Sequence, residues 1–205
     1  VVSTEVHLPV LGPLLGPVVG PIGLGPVAGI FTILCITFLI NAINMSDGLD
    51  GLAGGTTLIM VLLMALVAGF DGAPAALFAL PLLLAAALVG FLPYNLRSPV
   101  LDRARAFLGD SGSMMLGYSV AWLAIAVVAR EGSGVTPVTM AWLLVIPAMD
   151  TLALFVRRLM QRRSPFSPDR THLHHILLRA GQPVPMAVHL IHLAVALQPD
   201  HAVAV

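Results

Sequence analysis

Apolar residues in this chain come in long unbroken blocks, at about 25–45, 52–70, 73–93, 112–129 and 135–156, separated by short polar stretches. Each block reaches or nears the roughly 20 apolar residues with which a helix crosses a hydrocarbon core of about 30 Å. The blocks are continuous rather than alternating and far too long for strands. The pattern predicts an all-α fold, a polytopic membrane bundle of five to six transmembrane helices. The sixth candidate, 185–198, is short and carries His189 and His192. Pro81 and Pro147 fall inside predicted spans, which membrane helices tolerate when neighbours satisfy the freed backbone groups.

The start of the chain has another pattern. From residue 11 to 26 a Gly-Pro step recurs at Gly12, Gly16, Gly20 and Gly25, which opposes a regular helix. Residues 1–24 are therefore expected to form an outer-face or interfacial segment, and without a basic start they do not read as a signal peptide. The membrane domain would occupy 25–181, with polar loops at 94–111 and 157–181, and 182–205 would hold the short last span and a tail.

Arginine orients the bundle. Arg97, Arg103 and Arg105 lie between the third and fourth blocks. Six more, from Arg157 to Arg179, follow the fifth, and only Arg130 falls on the other face. Basic loops are retained in the cytoplasm, so both arginine-rich loops are expected there, with the turn at 44–51 on the same side. Composition agrees: 58% of the 205 residues are hydrophobic and 10% charged, against about 25% charged in soluble domains. With zero net charge, no basic surplus exists for nucleic acid. A single cysteine, Cys35, excludes a disulfide scaffold.

Ionisable groups near a bilayer are costly, so their positions carry information. Four clusters stand out. In NAINMSDGLDGLAGG (41–55), Asn41 and Asn44 share a helix spacing of three, and Asp47 and Asp50 repeat it. Two close carboxylates suit a divalent cation, a phosphate-accepting centre or a proton relay; the alternative is a helix cap and turn. In FLGDSGS (107–113), Asp110 opens a span. It is either a helix cap or a metal ligand at a helix N-terminus that favours anions. Asp150 lies inside the fifth span and needs an arginine partner or a polar site. In RRSPFSPDRTHLHH (162–175), Arg170, His172, His174 and His175 suit a diphosphate. Zinc or anionic headgroups are the alternatives for that last cluster. Acidic and basic groups at a membrane surface favour phosphoryl transfer on a lipid, because carboxylates reach phosphate through a cation such as magnesium.

NAINMSDGLDGLAGG, FLGDSGSMMLGY, IPAMD and SPFSPDRTHLHHILLRAG resemble, in order and spacing, the polyprenyl-phosphate N-acetylhexosamine-1-phosphate transferases, a glycosyltransferase family. The resemblance covers about 40–181. It implies transfer of a sugar 1-phosphate from a UDP-N-acetylhexosamine to polyprenyl phosphate, with Mg2+ or Mn2+, at the cytoplasmic face of a bacterial inner membrane. Such transfer is the first membrane step of an envelope polysaccharide. The histidine motif is similar to the branch using UDP-N-acetylglucosamine and undecaprenyl phosphate. By resemblance, Asp110 is the metal ligand, and Asp47 and Asp50 are catalytic beside it, with Asn41 and Asn44 in support. Asn95 and Phe107 meet the uracil, while Arg170, His172, His174 and His175 hold the diphosphate and sugar. Asp150 lies near the substrate, and the family is compatible with a homo-oligomer. Members have further spans ahead of this region and an adjacent aspartate pair; the chain has no Asp-Asp step, so it reads as a carboxy-terminal part. Two other classes compete. An intramembrane aspartyl protease would use Asp110 and Asp150 as a dyad, and an anionic-solute transporter would need polar residues across the outer halves of the spans.

Overall fold

The computed structural model describes residues 5–6, 22–23, 28–97, 102–162, 164 and 172–197. Four of the predicted spans are single helices, α1 (Ala28–Ser46), α2 (Leu52–Phe70), α3 (Ala75–Asn95) and α4 (Gly109–Val128), each long and apolar enough to cross a membrane. Within the amino-terminal segment, β1 (Glu5–Val6) pairs antiparallel with β2 (Ile22–Gly23), the only β ladder among the described residues.

The fifth predicted span is not one helix. It divides into α5 (Pro137–Leu143) and α6 (Val145–Met160), which meet at 80°. Pro147 weakens the helix at the break: it has no N–H for the Leu143 carbonyl, and its ring crowds that oxygen. Thr136 caps α5, its Oγ1 accepting the Thr139 N–H at 3.2 Å. Pro81, by contrast, is accommodated inside an unbroken α3.

The sixth candidate forms a short apolar helix. After the short α7 (Leu173–Arg179) comes α8 (Val184–Ala196), whose 13 residues cover only about 20 Å. α8 packs on α2. His192 Nε2 donates to the Leu52 carbonyl at 3.3 Å, against the bare backbone of Gly55.

The broadest helix contact joins α1 to α4, and α2 packs on α3. Small residues let helix backbones approach closely where lipid offers no hydrophobic drive for association. Gly117 is the clearest case, since a Cβ there would stand 2.6 Å from Ile40 Cα. Ile43, Met60, Met64, Leu116, Val120 and Leu143 fill the centre.

Polar groups close both ends of the bundle. At one end Arg130 clamps the Asp71 carboxylate, which also accepts Ser133 Oγ at 3.1 Å and the Gly134 N–H at 2.9 Å. Burial pushes the Asp71 carboxyl up, but the Gly134, Ser133 and Arg130 donors outweigh it and hold the group below the ordinary carboxylate range. The loops at 70–73 and 130–134 therefore share one face, as alternation of the spans requires. The polar motifs gather at the opposite end.

Candidate active site

Asn44 sits in the last turn of α1, and its side-chain amide crosses to α4. Nδ2 donates to Ser113 Oγ at 2.8 Å and lies 3.4 Å from Asp110 Oδ1. Ser113 Oγ in turn donates back to the Gly109 carbonyl at 3.0 Å, so the end of α1 is fastened to the first turn of α4. Asp47 then faces Asp110 across this junction. Burial raises the Asp47 pKa, and the negative charges of Asp110 and Asp50 raise it further. Three carboxylates thus share one electrostatic field. Asp110 stands in the first turn of α4, where its carboxylate faces the Asn44 amide.

Asp50 and Asn95 hold the neighbouring loop. Asp50 Oδ2 accepts Arg97 Nε at 2.7 Å and the Ala104 N–H at 3.3 Å. Asn95 is only 3% exposed; its Oδ1 accepts the Gly51 N–H at 3.0 Å and its Nδ2 donates to the Ala106 carbonyl at 2.8 Å. Its amide is occupied at both ends, which makes it the pin between the α1–α2 turn and the segment leading to Phe107. The Phe107 ring itself is 71% exposed at the edge of the site.

The histidines complete the site from α7. His174 is 2% exposed and lies on Gly48, where a Cβ would be 2.7 Å from its Nε2. Only glycine leaves room for the ring beside Asp47. Ring stacking continues the array: His172 and His174 are nearly parallel with centroids 5.4 Å apart, and His175 is 4.3 Å from His174. Burial, then the neighbouring His175 and His172, push the His174 pKa down to about 4 against an opposing pull from Asp150. The ring is therefore neutral at pH 7. A cleft lined by Ser46, Thr56, Asp150 and His174 lies beside it, where Thr56 Oγ1 and His174 Nε2 are buried without hydrogen-bond partners among the described residues.

Among the described residues Asp150 pairs with His172: Oδ2 meets His172 Nδ1 at 2.9 Å, while Oδ1 accepts the Leu173 N–H at 2.8 Å. The two carboxylates that a protease dyad would need have different partners, Asp150 engaging His172 and Leu173 and Asp110 facing Asn44. Asn41 donates to the Thr37 carbonyl one turn back in its own helix at 2.8 Å. Arg170 lies outside the described residues. Two participants, Ser113 and Arg97, were not singled out from the sequence. Ser113 stands three residues from Asp110, a spacing that places both on one helix face. The Arg97–Asp50 pair spans 47 residues and leaves no local trace.

No three Asp, Glu, His or Cys side chains among the described residues converge as a preformed metal cage. The donor set nonetheless fits magnesium, which keeps several waters and binds through one or two carboxylates. The raised Asp47 pKa points the same way, since a cation would relieve its repulsion with Asp110 and Asp50. On the lipid side, an apolar cleft of about 320 Å³ opens between α1, α4 and the bent pair, lined by Phe31, Cys35, Phe38, Met140, Leu144 and Ala148 among others.

Known proteins are similar to this sequence. The chain is 38% identical over 176 residues to the undecaprenyl-phosphate alpha-N-acetylglucosaminyl 1-phosphate transferase of Escherichia coli K12, covering 85% of this chain and 47% of that protein. The protein of the same name from Salmonella typhi is 38% identical over 199 residues, 96% of this chain and 53% of its own length. The one from Pasteurella multocida is 37% identical over 115 residues, 55% of this chain and 32% of its own. The chain thus spans about half the length of these relatives. The family described as Glycosyl transferase family 4 matches residues 1–128, more than half of the chain, and to that family of membrane proteins this chain belongs.

Proposed function

We propose that the protein transfers N-acetylglucosamine 1-phosphate from UDP-N-acetylglucosamine to undecaprenyl phosphate, releasing UMP, at the cytoplasmic face of a bacterial inner membrane. The observation that carries this reading is the convergence of the Asp47–Gly48 turn, Asp110 and the stacked histidines at one end of an apolar helix bundle. Relatives named as transferases of this kind support the substrate pair.

In this reading an oxygen of the acceptor phosphate attacks the β-phosphorus of the nucleotide sugar. The bond from that phosphorus to the bridging oxygen breaks, and the bridging oxygen leaves with UMP. Positioning and charge stabilisation supply most of the catalysis in phosphoryl transfer. Asp110, with Asp47 beside it, would hold magnesium (manganese being the alternative), whose charge offsets that of the diphosphate. Asn44 sets the spacing of these carboxylates through Ser113. Phe107 offers its exposed ring to the uracil. Asn95 keeps the Phe107 segment in place from behind, a supporting role in place of the direct uracil contact expected from the motif. The imidazoles, with Arg170 on the loop ahead of them, provide donors for diphosphate and sugar. The apolar cleft beside α1 accommodates part of the polyprenyl chain.

The test is direct. Membranes carrying the chain, supplied with undecaprenyl phosphate, magnesium and radiolabelled UDP-N-acetylglucosamine, are expected to yield label in an organic extract together with free UMP. Label confined to the aqueous phase would overturn the proposal.

A further inference from the structure

α7 carries His174 and His175 and follows directly on His172, yet nothing in α7 itself caps its start. His172 occupies the cap position with extended backbone and makes no side-chain cap. The missing acceptor comes from another helix, because Asp150 on α6 takes the Leu173 N–H on Oδ1 and His172 Nδ1 on Oδ2. A helix start without such an acceptor leaves its first N–H groups unsatisfied. A carboxylate on one ring nitrogen of a histidine also fixes its tautomer and ring angle. Since Asp150 only accepts, the His172 proton resides on Nδ1. The stacking then passes that orientation to His174, which sits on Gly48 next to Asp47.

We infer that Asp150 is a positioning residue: one carboxylate both caps α7 and sets the His172 ring, holding the histidine array against the Asp47–Gly48 turn. The bend at Pro147 belongs to the same device, since it starts the helix on which Asp150 stands. This inference rests on the proposed function for its substrate but not for its geometry.

Asp150→Asn separates the two halves of the role. An amide keeps a carbonyl for Leu173 but offers His172 only a donor, so the ring must move its proton to Nε2. Asp150→Ala removes both contacts. In the chain reconstituted in lipid nanodiscs, amide exchange at Leu173 is expected to rise about tenfold or more in Asp150→Ala and to stay near wild type in Asp150→Asn. UDP-N-acetylglucosamine affinity is expected to fall about tenfold in Asp150→Asn, as for outer partners of ligating histidines. His172→Ala should show a similar loss, and the double variant Asp150→Asn/His172→Ala no further loss. Losses that multiply in the double variant, or wild-type affinity in Asp150→Asn, would overturn the inference. Should the wild-type chain fail to bind the nucleotide sugar, the functional reading falls instead, and the exchange data decide alone. Unchanged exchange in Asp150→Ala then counts against the positioning role, and raised exchange supports it.

Discussion

The imidazole of His174 rests directly on Gly48, with Nε2 2.7 Å from where a Cβ would be. Residues 126 positions apart are thus in contact, and the histidine helix is seated on the aspartate turn with no room for even a methyl group. Gly48→Ala is expected to destabilise the chain by about 1–3 kcal/mol, the range for overpacking, and to depress transferase activity. Gly48→Ala/His174→Ala should recover most of the thermal stability but not the activity. Equal destabilisation in single and double variants would show that the ring is not what the methyl meets.

Asp47 is held at raised pKa by burial and by Asp110 and Asp50. Its folded form takes a proton more readily than the unfolded chain, so its charge opposes folding at neutral pH and that opposition fades as pH falls. Asp47→Asn is expected to raise the unfolding temperature while lowering turnover about 10²–10³-fold. In Asp110→Asn the thermal stabilisation by magnesium should shrink while insertion into the membrane is retained. Turnover near wild type in Asp110→Asn would remove its metal role.

His174 titrates the other way. Its folded pKa of about 4 lies below the ordinary histidine value of 6.5, so the unfolded chain binds the proton first. Stability is expected to fall as pH drops from about 6.5 towards 4. His174→Gln, which cannot ionise, should flatten that part of the unfolding profile. The profile is read as midpoint against pH in detergent, and a slope unchanged in the variant would contradict the assignment.

Asn95 is predicted to matter for architecture before chemistry. Asn95→Ala leaves the Gly51 N–H and the Ala106 carbonyl without the bonds they now have, at a cost of about 1–3 kcal/mol for a buried unsatisfied group. Nucleotide affinity should fall with it, through displacement of Phe107. If Asn95→Ala weakens UDP-sugar binding without any loss of stability, Asn95 touches the substrate after all.

The Arg130–Asp71 clamp lies at the far end from the site. Arg130→Ala is expected to cost about 1.5–3 kcal/mol, as for a hydrogen bond to a charged group, with the KM for the nucleotide sugar unchanged. A shifted KM would mean that the two ends of the bundle are coupled.

Hydrophobic run length alone determined four of the helices, because a chain solvated by lipid must satisfy its backbone within each span. The arginine distribution anticipated which polar motifs share an end. Spacing of three paired Asn41 with Asn44, yet the Asn41 amide bonds within its own helix while that of Asn44 crosses to α4. Helical spacing puts residues on one face, and what that face meets depends on its neighbour. The 80° break was marked by Pro147 but not determined by it, since Pro81 leaves α3 intact. Local sequence weakens a backbone hydrogen bond; the surrounding packing decides whether the helix turns there. Asp150 with His172, Asp50 with Arg97, and His174 with Gly48 belong wholly to tertiary structure. Contacts between residues 22, 47 and 126 positions apart depend on how helices pack, and no local spacing encodes them.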